Sequence, residues 1–267
     1  MLKERADVLC VSQGLFDSRE KAKRAIMAGI IFYDSNRVDK PGEKIDVNVN
    51  LRIKGKTLPY VSRGGLKLEK AIKYFNFNVA DKVMLDIGAS TGGFTDCALQ
   101  NGASYVYALD VGTNQLSWKL RSDSRVSVME KTNFRYCTKD NFSKPIERVS
   151  IDVSFISLNL ILPTLAEIIE ISGEVCTLIK PQFEAGKDKV GKGGIVRDKL
   201  VHQEVVENIF YLSNNLGFSV KELTYSPITG GDGNIEYLMI LKYTPDNVIN
   251  KDINIKKIVE EANRQFK

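Results

Sequence analysis

The sequence predicts an α/β protein, a doubly wound and mostly parallel sheet, with a small α+β module at its N-terminal side. Three observations predict it. From Val83 onward, short apolar runs alternate with amphipathic stretches, the rhythm of strands and helices in a sheet covered on both faces. The first of those runs ends in a small-residue turn that opens a helix, KVMLDIGASTGGFTD over 82–96. The first 57 residues, by contrast, are basic and broken by turns.

Composition sets the outer limits. A chain of 267 residues with 43% hydrophobic content has room for one large core and a small one. Its 38 Lys and Arg against 33 Asp and Glu give a net charge of +5, which permits a nucleic-acid partner without requiring one. Cys10, Cys97, Cys137 and Cys176 are scattered and form no CxxC pair, so neither a zinc site nor a disulfide framework is expected. Reduced thiols in a cytoplasmic protein fit better. No signal peptide is evident and no apolar run approaches the ~18 residues of a membrane span, so a soluble protein without a membrane partner is expected.

Within the basic module, Leu2, Arg5, Ala6, Leu9 and Val11 suggest a first amphipathic helix ending at Gly14. Asp17 or Ser18 can cap a second, SREKAKRAIMAG, which stops at Gly29. Ala22, Ala25 and Ile26 face inward in that helix, leaving Arg19, Lys21, Lys23 and Arg24 outward. They can follow a phosphate backbone or simply form a solvated charged face. IIFYDSNRV, the turn KPGEKI and VNVNLRI read as short β-segments around that turn. The whole stretch LCVSQGLFDSREKAKRAIMAGIIFYDSNRVDKPGEKI resembles the small RNA-binding domain named after ribosomal protein S-four. That resemblance implies RNA contacts by the basic helix and its neighbours, with Arg5, Arg19, Lys23, Arg24 and Lys40 as candidates.

KGKTLP, 54–59, is short, polar and closed by proline, as a linker would be. The expected division is 1–57 and 58–267, with 54–61 joining them. YVSRGGLKLEKAIKYFNF reads as a turn and a helix, with Lys67 in its first turn, where a lysine is ordinarily solvated. Next comes the turn of 82–96. Its spacing, Asp86-x-Gly88-x-Ser90-x-Gly92, is near the acidic-Gly-x-Gly-x-Gly turn of S-adenosylmethionine (SAM) methyltransferases, with serine at the middle glycine. Asp86, Gly88, Ala89, Ser90, Thr91, Gly92 and Gly93 are accordingly candidates for cofactor binding. ASYVYALDVG is the next strand, and Asp110 closes it about 20 residues past the turn, where a carboxylate can accept both ribose hydroxyls.

NQLSWKLRSD then reads as helix, RVSVME and ERVSIDVSF as strands, SLNLILPTLAEII as helix and EVCTLIK as strand. Asp152 and Lys180 sit at strand ends, facing the crevice where doubly wound sheets bind ligands, unless they are routine strand-end polar residues. The loop EAGKDKVGKGGIVRD is either a flap that touches RNA or a flexible solvated loop. KLVHQEVVENIFYLSNNLGF is an amphipathic helix ending at Gly217, and its His202, the sole histidine, suits a surface or packing role. SVKELTYSPI and NIEYLMILKY are the last strands, joined by TGGDGN, with Glu236 entering the second. KKIVEEANRQF is a terminal surface helix.

Taken together, VSRGGLKL, LDIGASTGGFTD, ALDVG, DVSFISL, LIKPQFEAGK and GNIEYL resemble, in order and spacing, the TlyA family of rRNA 2′-O-methyltransferases, also called hemolysin A. They are more distantly similar to FtsJ-like methyltransferases. The resemblance implies a Rossmann-like SAM-dependent fold with an antiparallel last strand, and ribosomal RNA, with a cytidine-type target, as substrate. Its catalytic tetrad falls on Lys67, Asp152, Lys180 and Glu236, with Asp152 also near the cofactor. Only the resemblance singles out Lys67. In that scheme Lys180, lowered in pKa by the nearby cation Lys67, accepts or steers the proton of the 2′-hydroxyl, or instead stabilises the developing alkoxide charge while solvent takes the proton, and the carboxylates orient the amines. No metal is involved, no obligate protein partner is evident, and a monomer is expected. Against it stand a dinucleotide oxidoreductase, disfavoured by the missing G-x-G-x-x-G spacing, a non-catalytic RNA-binding or ribosome-assembly factor, and a membrane-active hemolysin.

Overall fold

The chain divides into two compact units, Met1–Arg63 and Gly64–Lys267. The computed structural model describes residues 2–34, 36–54, 58–230 and 233–266. Parts of the expected linker (55–57), of the turn before Asn36 (Ser35) and of the TGGDGN turn (231–232) lie outside the described residues, as do Met1 and Lys267 at the chain ends.

The first unit runs β1 (Lys3–Arg5), α1 (Ala6–Ser12), α2 (Arg19–Met27), β2 (Ile31–Tyr33), β3 (Asn36–Arg37), β4 (Lys44–Asp46) and β5 (Arg52–Ile53). The first helix therefore starts later than its periodicity suggests. Lys3–Arg5 pairs antiparallel with Lys44–Asp46, so the ladder captures those backbone groups before the helix begins. The same pairing makes the second half of KPGEKI a strand. Ser18, not Asp17, caps α2 by accepting the Lys21 N–H, and Gly29 ends the helical stretch at φ +70°. β2 lies between β3 and β5 in a three-stranded sheet. Leu9, Cys10, Ala22, Ala25, Ile26, Ile31, Val38, Ile45 and Leu51 fill the core of this unit.

The second unit runs α3 (Gly65–Phe75), β6 (Val83–Ile87), α4 (Gly93–Gln100), β7 (Tyr105–Leu109), α5 (Trp118–Arg121), β8 (Val126–Met129), β9 (Ile146–Ile151), α6 (Leu162–Ile168), β10 (Ile169–Ile179), α7 (Pro181–Glu184), α8 (Lys199–Asn215), β11 (Phe218–Tyr225), β12 (Tyr237–Tyr243) and α9 (Ile255–Gln265). Its seven strands are ordered β11-β12-β10-β9-β6-β7-β8. β12 runs antiparallel to both β10 and β11, while β10, β9, β6, β7 and β8 pair in parallel. The expected doubly wound sheet with an antiparallel last strand is present. The chain order reverses between β6 and β9, which opens a crevice beyond their carboxyl ends.

The helix expected over NQLSWKLRSD shrinks to the four residues of α5. The Glu130 carboxylate accepts the backbone N–H groups of Asn114, Gln115 and Leu116, which holds that stretch as a loop. SLNLILPTLAEII splits into a 3-10 turn over Leu158–Leu160 and α6, with Pro163 in the first turn of that helix. Among the described residues, no helix is long and apolar enough to cross a membrane.

Candidate active site

The turn after β6 is built from backbone conformations that few side chains tolerate. Gly88 and Gly92 have φ +85° and +96°, and Ser90 sits between them at +48°. Serine thus adopts the left-handed conformation that glycine would supply at this position. Its N–H donates to Asp110 Oδ2 at 2.7 Å, and Asp110 Oδ1 accepts the Gly112 N–H at 2.8 Å. Gly88 and Ala89 both donate to the Leu109 carbonyl, so the turn is fastened to the end of β7. A Cβ on Gly88 would lie 2.6 Å from the Asp152 carbonyl oxygen, and one on Gly92 would collide with Leu116 and Leu120. Ser90 and Thr91 remain exposed, while Ala89 and Gly93, the first residue of α4, are buried.

Asp86 behaves differently from its neighbours. It has no solvent contact, and it braces the turn from within. Its Oδ2 accepts from Thr95 N and Oγ1 at 3.1 and 2.7 Å, and its Oδ1 accepts from Ser150 Oγ at 2.7 Å. Burial pushes this carboxyl up to about 6 against those hydrogen bonds. Thr95 and Ser150 are partners that the sequence reading missed, because each is one small polar residue inside an apolar stretch.

Beside the turn, four charged side chains from distant parts of the chain meet. Asp152 follows β9, and its N–H donates to the Ile87 carbonyl, fixing it at the mouth of the crevice. Lys180 directly follows β10 and is the N-cap residue of α7, which starts at Pro181. Glu236 precedes β12, held by its carbonyl accepting the Ser226 N–H. Lys67 projects from α3. Lys180 Nζ lies 2.6 Å from Asp152 Oδ1, Lys67 Nζ lies 3.0 Å from Asp152 Oδ2, and Lys67 Nζ lies 2.7 Å from Glu236 Oε2. The result is an alternating chain, Lys180–Asp152–Lys67–Glu236, with each side chain no more than 15% exposed.

Burial opposes the Lys67 charge, yet Asp152 and Glu236 together hold that ammonium above the ordinary lysine range. Burial likewise opposes ionisation of Asp152, but Lys67 and Lys180 hold it below the usual carboxylate range. Lys67 and Lys180 bind different oxygens of one carboxylate, so Asp152 intervenes in the cation–cation influence expected from sequence. The ordinary solvated reading of Lys67 is overturned by its burial.

Around this chain lie residues that sequence reasoning did not find. Ser154 Oγ stands 3.3 Å from Lys180 Nζ. Phe155 has φ +62° and is 91% exposed, with its ring 5.0 Å from that of Phe183. Glu184 accepts from Ser157 Oγ and Leu158 N, stapling the Phe155 loop to α7. Gly230 adjoins Glu236 so closely that a Cβ would strike its carboxylate. A strained, exposed aromatic cannot be told from a core phenylalanine in the sequence alone.

His202 stays outside the cluster. It is buried, and it packs between α8 and β12 as one of the two expected roles allows. Its Nε2 donates to the Val196 carbonyl at 2.9 Å and its Nδ1 accepts from Tyr237 Oη at 2.8 Å. Asn234 accepts the Val196 N–H and donates to the Gly194 carbonyl, so the far end of the glycine- and lysine-rich loop is anchored while Lys187 and Lys192 are exposed.

In the first unit, the five candidate RNA residues fall into groups. Arg5 and Arg19 both pair with Asp7, Lys23 pairs with Glu20, and Arg24 Nε donates weakly to the Glu20 carbonyl. Lys40 is exposed on the turn before β4.

The FtsJ-like methyltransferase description matches residues 60–243. This chain belongs to the FtsJ-like methyltransferase family. The S4 domain description matches residues 4–51, ahead of the FtsJ-like region. A Bacillus subtilis (strain 168) protein named "Putative rRNA methyltransferase YqxC" is 56% identical over 99% of this chain and 96% of its own length. The Mycobacterium tuberculosis (strain H37Rv) protein named 16S/23S rRNA (cytidine-2′-O)-methyltransferase TlyA is 38% identical, covering 92% of each chain. A solved hemolysin-type structure from Streptococcus thermophilus is 54% identical with a TM-score of 0.79, covering 100% of this chain and 98% of that one.

Proposed function

We propose that this protein transfers the methyl group of SAM to a ribose 2′-hydroxyl of ribosomal RNA, with cytidine as the target nucleotide. The reading assigns RNA binding to residues 1–57 and catalysis to 58–267. The observation that carries it is the buried chain Lys180–Asp152–Lys67–Glu236 at the sheet's switch point, beside a small-residue turn. The cytidine assignment leans on the name of the mycobacterial relative.

The residues present fit the cofactor. The Asp110 carboxylate accepts two backbone N–H groups. A carboxylate has about four acceptor positions, so two stay available for a ribose diol. Gly88 and Gly92 bring bare backbone to the same edge, and Ser90 and Thr91 are exposed there. SAM supplies the electrophilic sulfonium methyl when bound.

A ribose 2′-hydroxyl is a weak nucleophile whose proton must leave as its oxygen attacks. Asp152 Oδ1 at 2.6 Å holds the Lys180 amine from one side and Ser154 Oγ at 3.3 Å from another, which fixes where that amine points. Lys180 then binds the 2′-oxygen and stabilises negative charge developing on it as the proton departs to solvent. Lys67 fixes Asp152 from the opposite oxygen, and Glu236 fixes Lys67. Positioning of this kind supplies much of the acceleration in a two-substrate transfer. Exposed Phe155 offers a flat face on which a nucleobase drawn out of a helix can stack. Arg5, Arg19, Lys23, Arg24 and Lys40 supply the phosphate contacts.

Labelled-methyl transfer to purified ribosomal subunits, followed by mapping of 2′-O-methyl positions, tests the activity. Lys180→Ala should reduce transfer by on the order of 10³-fold or more while SAM affinity, read by calorimetry, changes little. Transfer retained near the wild-type rate, or a loss of transfer fully accounted for by lost SAM affinity, would remove Lys180 from this role.

A further inference from the structure

Asp7 is an acidic side chain with no solvent exposure, and it sits among the cations of the first unit. Arg5 donates to it twice, Nε to Oδ1 at 2.9 Å and Nη2 to Oδ2 at 3.2 Å, and Arg19 Nη2 donates to Oδ2 at 2.8 Å. The backbone takes part as well. Asp7 N–H donates to the Pro41 carbonyl and Ala6 N–H to the Glu43 carbonyl, which fastens the turn carrying Lys40 to the start of α1. Gly42 in that turn leaves space for Arg5, since a Cβ there would lie 3.1 Å from Nη1. The end of β1, the start of α2 and the turn at 40–43 therefore converge on one residue.

The arrangement opposes local preference. Arg19 is the first residue of α2, where the helix dipole disfavours a cation. Its pairing with Asp7 offsets that. Burial alone would raise the Asp7 carboxyl, but Arg5 and Arg19 bring it down to about 2, so it is charged at neutral pH. A guanidinium has five N–H donors, and Arg5 places two and Arg19 one on Asp7. Among the described residues the rest take no further acceptor, on side chains that are 40% and 52% exposed. Lys23 and Arg24 are served by Glu20 and do not share this anchor.

We propose that Asp7 is a positioning residue for RNA, holding Arg5, Arg19 and the Lys40 turn as one array that grips the phosphate backbone of a folded rRNA. The proposal rests on the RNA-binding reading of this unit. It differs in sign from charge counting. Asp7→Asn adds one positive charge to the unit, so general electrostatic attraction would leave RNA binding equal or tighter. Loss of the array makes binding weaker.

The test uses the full-length protein with purified ribosomal subunits and, separately, poly(U), by filter binding across a salt series. Asp7→Asn should weaken subunit binding on the order of tenfold and make the salt slope shallower by about 1–2, while poly(U) binding holds or tightens. The double variant Arg5→Lys with Arg19→Lys, which keeps every charge but loses the guanidinium forks, should show the same loss of subunit binding. Subunit binding by Asp7→Asn as tight as wild type, with an unchanged thermal melt, overturns the positioning role. If Asp7→Asn fails to fold, the double lysine variant decides, and wild-type binding by it also overturns the role. Arg5→Glu with Arg19→Glu separates the two ideas. Unchanged subunit binding there removes the RNA-binding reading itself, whereas a loss there without one in Asp7→Asn removes only the role of Asp7.

Discussion

Asp86 and Asp7 are both carboxylates without solvent contact, and their neighbours drive them in opposite directions. Asp86 meets only hydroxyls and one N–H, so burial dominates and its carboxyl rises from 3.8 to about 6. A group raised in this way stabilises the fold fully below its unfolded value, and that contribution disappears as pH climbs through about 6. Asp86→Asn should therefore gain stability relative to wild type between pH 4 and pH 7, by on the order of 2–3 kcal/mol. Thermal melts of the full chain at both pH values measure it, and an equal difference at the two would contradict the assignment. Asp7 is lowered, so its contribution is present above 3.8 and is lost as pH falls through about 2. Ser90 gives a smaller effect. Ser90→Gly relieves roughly 1 kcal/mol of left-handed strain but frees the unfolded chain by a similar ~0.4–1 kcal/mol. Denaturant melts should find the variant within about 0.5 kcal/mol of wild type. At this scale the sequence announced Asp110, Asp152 and Lys180 through their places at strand ends. It could not announce Lys67 or Asp7, whose meaning depends on partners far along the chain or on burial that a helical pattern does not specify.

Elements meet at the site through two close approaches. The first is the end of β6 against the end of β9, where Gly88 lies under the Asp152 carbonyl. Gly88→Ala combines a positive φ with a 2.6 Å clash against backbone that cannot rotate away. It should cost about 2–4 kcal/mol and weaken SAM binding, because the turn and Asp152 must separate. Calorimetry on the folded variant would show unchanged affinity if the two strand ends are independent. The second approach is Glu130, just after β8, reaching back to three N–H groups of the loop beside Asp110 and to Arg121. Glu130→Ala should loosen that loop and lower SAM affinity on the order of tenfold without unfolding the sheet, since the lost bonds are all on the rim. Strands and long helices were legible because burial on one or two faces imposes a period on their residues. The helix expected over NQLSWKLRSD was not, because the carboxylate that prevents it lies 14–16 residues away.

At the scale of the molecule, alternation of strand and helix conveyed the class of the larger unit, and motif order conveyed its family. The pairing of β12 between β10 and β11 has no local signature at all, since hydrophobic pattern does not name a strand's neighbours. That pairing matters for how the protein comes into being. Lys67 and Glu236 are 169 positions apart, and Glu236 reaches its place only when β12 enters between two strands made before it. During synthesis, Lys67 exists for most of the chain's elongation without its last partner, and the edges of β10 and β11 wait unpaired. Closing so distant a contact is among the slower steps a chain of this topology can take. The charged cluster is thus completed by the same event that seals the sheet, and a nascent or partly folded copy has neither a finished core nor an assembled site.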